Sequence, residues 1–93
     1  MNIMIVKFGD MLLSRLIGRE AALVFKTREI PKQGEITLDF AGVKVLTPSW
    51  ADEFIAPLLS QYPNRVEFIN KDNLSVKYTL DFLSQHVWNV SGD

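Results

Sequence analysis

Residues that could carry chemistry are concentrated between positions 39 and 54. Asp39 closes an alternating apolar run, and two hydroxyl residues, Thr47 and Ser49, follow where a helix is expected to begin. The start of a helix presents backbone amides that have no partner within the helix, so a hydroxyl can cap them and a phosphate can bind them. Two interpretations follow: a structural one, in which Asp39 binds loop amides and Ser49 caps the helix, and a functional one, in which this segment carries the chemistry of the protein.

The other polar residues form no recognisable catalytic or metal site. The carboxylates of Asp52, Glu53 and Glu67 match no metal-binding spacing. The single histidine, His86, suits the negative end of a helix dipole better than catalysis without partners. The chain has no cysteine, and its 5 glycines occur singly, so there is no phosphate-binding glycine loop. We therefore expect no catalytic residue, no metal, no cofactor and no enzymatic activity.

Charge and length restrict the class of partner. Lys and Arg number 10 and Asp and Glu number 11, and the resulting net charge of -1 does not attract nucleic acid or an anionic membrane. A length of 93 residues suits one hydrophobic core, and the lack of cysteine fits a reducing compartment. The opening residues are apolar but lack the basic start and cleavage site of a signal peptide. We expect one cytoplasmic domain over residues 1–93, with a loose tail at 88–93, that binds neither nucleic acid nor membrane.

The alternation of strand and helix patterns predicts an α/β fold. Main strands are expected at residues 3–8, 36–40 and 65–69, and a very short one at 11–13 is expected to pair back on the first. The expected helices cover residues 14–27, 49–61 and 74–86. Because strands joined through helices pair in parallel, we predict a mostly parallel sheet of about four strands with about three helices, and with 36–40 at its centre.

Polar residues predict how the first two helices begin. Ser14 can cap the first helix, and Ser49 with Asp52 resembles a capping box at the start of the second. Two roles are open for Arg15: a solvated helix arginine, which is the more common case, or a residue that reaches Asp39 or Asp52 and braces the loop before the second helix. The apolar residues expected to turn the first helix toward the core are Ile17, Ala21, Val24 and Phe25.

The segment after the central strand also resembles a known family. Its most specific part is the run Asp39-Phe40-x-Gly42-Val43 followed by Ala51-Asp52-Glu53, with Leu13-Ser14-Arg15 upstream and Ile69-Asn70 downstream. Over residues 8–83 the chain resembles the bacterial STAS-like domains of unknown function. That family is similar to the STAS domains of anti-sigma-factor antagonists, and its members often occur beside, or fused to, histidine-kinase-like ATPase modules.

The resemblance implies a STAS-like fold and a place for the chemistry. In antagonists an Asp-Ser-Ser-Gly stretch follows the acidic end of the strand, and the cognate kinase phosphorylates its second serine. Alignment on Asp39 and Gly42 places that serine at Ser49, with Thr47 in place of the aspartate and Trp50 in place of the glycine. The resemblance therefore implies that Ser49, with Thr47 as the second candidate, is the phosphoacceptor.

The expected function is that of a non-catalytic protein-binding module in partner-switching signalling, with a histidine-kinase-like ATPase module as partner. The partner-binding loop and helix start are expected to comprise Gly42, Val43, Lys44, Trp50, Asp52 and Glu53. We expect Trp50 to be exposed there as an interface anchor, and the alternative is that it lies in the core. Asp39, Ser14 and Arg15 are expected to support this surface, and formation of a homo-oligomer stays open.

Two functions of other classes are alternatives. A receiver-like module would use Asp39 as a phospho-aspartate, but it also needs an acidic pair after the first strand, for which Gly9-Asp10 is a poor substitute. A small DNA-associated regulator needs a basic recognition helix, whereas Arg15, Arg19 and Lys26 are interleaved with acids. The charge balance favours neither alternative.

Overall fold

The computed structural model describes residues 1–26 and 30–88. Within these ranges the strands are Asn2–Met4 (β1), Met11–Leu12 (β2), Ile36–Asp39 (β3), Val45–Leu46 (β4) and Val66–Ile69 (β5). The helices are Arg15–Lys26 (α1), Pro48–Gln61 (α2) and Leu74–His86 (α3). The predicted end of the first helix at position 27 lies outside the described residues, as does all but Trp88 of the predicted tail.

The strands form two parallel sheets. In the larger sheet β3 lies between β1 and β5, and Leu38 pairs with Ile3 on one side and with Phe68 on the other. The smaller sheet pairs β2 with β4 in parallel. The α/β class, the mostly parallel sheet and the central position of β3 are thereby confirmed.

Two strand predictions are wrong in detail. The first strand ends at Met4, and Ile5–Phe8 forms a 3₁₀ turn, because a continuous apolar run does not by itself distinguish a strand from a buried turn. The short strand at Met11 does not pair back on β1 but joins β4. The chain therefore has five short strands in two sheets among the described residues, where about four in one sheet were expected.

The core lies between the larger sheet and the helices. In β3, Ile36 and Leu38 are fully buried, and Trp50, Phe54 and Ile55 fill the inner face of α2. The members of this buried apolar cluster are Ile3, Ile5, Leu12, Ala21, Phe25, Ile36, Leu38, Phe40, Val43, Leu46, Trp50, Ala51, Phe54, Ile55, Leu58, Val76, Leu80 and Leu83. Burial of these side chains is the main source of stability.

Helix α1 packs on α2 through small residues. The Ser14 hydroxyl accepts a hydrogen bond from the Ile17 amide at 3.2 Å, so Ser14 caps α1 as predicted. Gly18 and Ala21 are buried against α2, whereas Ile17 is exposed. Val24 is exposed too, so the prediction of the inner face is right for Ala21 and Phe25 and wrong for the other two residues. Gly18 and Ala21 face α2 in place of Ile17 and Val24 because small side chains let the two helix backbones come close together.

Helix α3 holds the short strand β4 in place. The Ser75 hydroxyl accepts from the Leu46 amide at 3.0 Å, and both Ser75 and Thr79 donate to the Leu46 carbonyl, at 3.2 and 2.6 Å. These bonds satisfy a strand edge that would otherwise be buried without partners, and they explain why Thr79 is buried.

A membrane-spanning helix is not found among the described residues, because none of their helices has the length and apolar character that this requires.

Candidate functional site

The loop after β3 is ordered by Asp39. Asp39 Oδ1 accepts hydrogen bonds from Asn70 Nδ2 at 2.8 Å and from the Ala41 amide at 2.9 Å. These donors, the Asn70 amide first, lower the pKa of the Asp39 carboxyl, although burial opposes them. Asp39 therefore binds loop groups, as the structural interpretation of its role expected.

Asn70 was not among the predicted site residues. It directly follows β5, whose carboxyl end lies beside that of β3, and its φ is 55°. An asparagine directly after a strand of a parallel sheet is a sequence signal that could have found it, because side chains at the carboxyl ends of neighbouring strands lie close together. Asn70 joins the loops after β3 and β5 at one edge of the sheet.

Thr47 has a structural role at the start of α2. It is the N-cap residue, and its Oγ1 accepts from the Trp50 amide at 3.4 Å. The same hydroxyl lies 3.1 Å from the Leu12 carbonyl and 2.8 Å from the Leu13 carbonyl, to which it donates. The predicted capping box of Ser49 is therefore wrong: Thr47 caps the helix because Pro48, which lacks an amide hydrogen, occupies the first turn.

Ser49 differs from Thr47 in its surroundings. It is the second residue of α2 and is half-buried. Across the described ranges no protein group hydrogen-bonds its hydroxyl, whereas the Thr47 hydroxyl contacts three backbone groups. Of the two candidate phosphoacceptors, Ser49 is the one whose hydroxyl is free to react.

Trp50 is not an exposed anchor. Its relative exposure is 0%, and its ring stacks on Phe54 with centroids 5.0 Å apart. The prediction that it is exposed is wrong because this position lies on the inner face of α2, where the ring also meets Phe8 at 6.1 Å. The indole Nε1 is buried and has no acceptor among the described residues.

The charged residues of the next turn form a cluster with α1. Arg15 Nη1 lies 2.8 Å from Glu53 Oε2 and 3.8 Å from Asp52 Oδ2, and Arg19 Nε lies 3.6 Å from Glu53 Oε1. The expected contact of Arg15 with Asp52 is confirmed and that with Asp39 is not, because Asp39 faces Asn70. The Arg15 guanidinium, above all through its hydrogen bond, lowers the pKa of Glu53.

The loop before β4 presents only part of its predicted surface. Gly42 and Lys44 are exposed, but Val43 is buried and belongs to the core. Val43 is therefore wrong as a docking residue, since the turn that returns its amide to the Phe40 carbonyl at 3.1 Å directs it inward. Lys44 Nζ lies 3.7 Å from Asp10 Oδ2.

The described parts of the chain hold no group of three His, Cys, Asp or Glu residues that could bind a metal ion. At the start of α2 the Ser49 hydroxyl has no hydrogen-bond partner within residues 1–26 and 30–88. One turn later, Asp52 and Glu53 form a charged cluster with Arg15 and Arg19 of α1. Such an arrangement can respond to added negative charge.

A comparison with known protein families places residues 20–76, more than half of the chain, in a family described as a STAS-like domain of unknown function. This match confirms the resemblance that the segment after β3 indicated. No curated protein and no solved structure gives a significant match.

Proposed function

Because this chain belongs to the family of STAS-like domains of unknown function, we propose that it is a non-catalytic, protein-binding domain of a partner-switching system. Its partner is a histidine-kinase-like ATPase module, which docks on the exposed residues Gly42 and Lys44 and on the first turns of α2. Phosphorylation of Ser49 by that module releases it.

The observation that carries this proposal is the condition of the Ser49 hydroxyl. It is half-buried at the start of a 14-residue helix and is free of hydrogen bonds within the described residues. A phosphate there would gain from the positive end of the helix dipole and would not break the cap, which belongs to Thr47. Ser49 can therefore be modified without loss of the helix start.

The charges one turn further along supply a means of release. Asp52 and Glu53 lie three and four residues after Ser49, on the same side of α2. A phosphate adds roughly −1.5 to −2 charge, so it repels these carboxylates and competes with Glu53 for Arg15. The charge pattern that faces the partner changes while the buried face of α2 stays as it is.

The decisive test incubates the chain with ATP and a histidine-kinase-like ATPase module from the same organism. Mass spectrometry of the intact chain and its peptides should place one phosphate on Ser49, and Ser49→Ala should abolish it. Phosphate on another residue, or none at all, contradicts the proposal.

Affinity measurements test the release step. Ser49→Asp should weaken binding of the ATPase module about tenfold or more, whereas Ser49→Ala should keep wild-type affinity. Ser60→Asp is the matched control, because Ser60 is exposed near the other end of α2. Equal loss of affinity in Ser49→Asp and Ser60→Asp would mean that added negative charge weakens binding wherever it lies on α2, and would contradict a specific role of Ser49.

A further inference from the structure

Helix α1 exposes large apolar side chains on the side that faces away from α2. We define the outer face of α1 as Leu16, Ile17, Glu20, Leu23 and Val24. The exposed fractions of Leu16 and Leu23 are 60% and 56%, and Ile17 and Val24 are exposed as well. Contiguous exposed apolar residues on a folded domain mark an interaction site more often than chance.

This face is not needed to dock α1 on its own domain. Gly18, Ala21 and Phe25 already bury the opposite side of the helix. Arg15 and Arg19 lie at the edge next to α2, where both contact Glu53. Leu16, Ile17 and Leu23 are therefore not required for the contact of α1 with α2.

The spacing of the outer face fits an α-helix. Leu16, Glu20 and Leu23 are separated by four and three residues, which is the spacing of a seam between two packed helices. Ile17 and Val24 widen that seam along one side. An extended peptide would instead need pockets at every second residue along a sheet edge.

Glu20 decides which helix fits. It lies at the centre of the outer face and has no ion pair or hydrogen bond in the parts of the chain described. The apolar residues flank it symmetrically, at three and four positions on each side. Two copies of the chain packed antiparallel about a two-fold axis over the whole face would therefore oppose Glu20 to Glu20, and such like charges disfavour association.

We propose that the outer face of α1 binds an amphipathic α-helix of another protein, which places a Lys or Arg opposite Glu20 and apolar residues one turn to each side. The charge pair is covered by the flanking leucines, so it selects the partner while apolar burial supplies most of the affinity. This interface does not depend on Ser49.

Two synthetic helical peptides serve as probes. Both carry leucines at the spacing of an apolar seam, and they differ only in their central seam residue, which is Lys in one and Glu in the other. Fluorescence anisotropy with the full chain should give at least tenfold tighter binding of the Lys peptide. Glu20→Lys should reverse the preference, and Leu23→Ser should weaken the binding of both peptides.

Controls separate this interface from other sources of binding. Tyr78→Ser, at an exposed aromatic residue of α3, should leave both affinities unchanged, and so should Ser49→Asp. Equal affinities for the two peptides, a preference that Glu20→Lys does not reverse, or no binding of either peptide at millimolar concentration overturns the proposal. The proposal is also overturned if analytical sedimentation shows that the wild-type chain is a dimer and that Leu23→Ser dissociates it. The outer face of α1 would then bind a second copy of the chain.

Discussion

Helix α1 has two apolar faces, and they differ in side-chain size. The inner face presents Gly18 and Ala21 to α2, and a Cβ atom built on Gly18 would lie 2.7 Å from the Trp50 carbonyl oxygen. The outer face presents Leu16 and Leu23 to solvent. Apart from Phe25, the smaller residues are thus inside and the larger ones outside, which is the reverse of what hydrophobicity alone suggests.

The two faces of α1 differ in the contacts they make within the domain. The inner side is fixed by close backbone approach and by polar contacts at the helix starts, where Thr47 binds the Leu13 carbonyl and Glu53 binds Arg15. A change there disturbs the contact of α1 with α2. A change at the exposed leucines of the outer face should leave that contact intact. Four predictions test this division, and the largest expected effect comes first.

Gly18→Ala should destabilise the fold by about 1–3 kcal/mol, because the added methyl group collides with the backbone of Trp50. At an exposed helical position the same change would stabilise by up to about 1 kcal/mol, so even the sign is informative. Urea denaturation measures the free energy of unfolding. A variant at least as stable as wild type would show that the contact of α1 with α2 is looser than described.

Thr47→Ala should cost about 1 kcal/mol, since it removes the cap of α2 and the hydroxyl contacts that tie α2 to the residues before α1. Ser49→Ala is the matched change two residues later and should stay within about 0.5 kcal/mol of wild type. Both are measured by urea denaturation. Equal losses in the free energy of unfolding would contradict the assignment of a structural role to the Thr47 hydroxyl and none to the Ser49 hydroxyl.

The contact of Glu53 with Arg15 should make stability depend on pH. The hydrogen bond from Arg15 holds the folded-state pKa of Glu53 below the ordinary value of about 4.3. At pH values between these two pKa values, the folded state therefore binds fewer protons than the unfolded state. The contribution is present above pH of about 4.3 and is lost as the pH falls through the folded-state pKa.

The measurement compares wild type with Glu53→Gln by urea denaturation at several pH values. The gap between their free energies of unfolding should close in acid. Glu20→Gln, the same change on the outer face, should show a gap near zero at every pH. A Glu53→Gln gap that stays constant with pH would exclude the contact as a source of stability.

Leu23→Ser should have the smallest effect on the fold, within about 0.5 kcal/mol, because the side chain is already mostly in water. Thermal unfolding by circular dichroism should therefore give a midpoint close to that of wild type. A loss of several kcal/mol would show that the outer face packs within the domain.

Much of the fold could be predicted from local signals. The bounds of α3 are those predicted from its apolar periodicity, and the structure adds that Asn73 caps the helix by accepting from the Val76 amide at 3.1 Å. Ser14 is likewise predictable as a cap because it directly precedes a segment with helical periodicity. The alternation of Ile36 and Leu38 with polar residues predicts the central strand. These features depend on near neighbours in the chain.

The site was predicted less completely, because its residues take their roles from distant partners. Ser49 and Thr47 are similar in sequence terms, yet only Thr47 lies beside the Leu12 and Leu13 carbonyls. Asn70 was missed because its partner, Asp39, is 31 residues away. No local pattern encodes such pairings.

The sequence by itself determined the α/β class, the parallel order of the main strands and the segment in which the hydroxyls lie, since periodicity, caps and turn residues act over a few positions. Only the tertiary structure decided that Trp50 is buried, that Ile17 is exposed and that Met11 pairs with Val45. The reason is that α1 has apolar residues on both sides, and the backbone of α2, brought close from a distant part of the chain, admits only the side with Gly18.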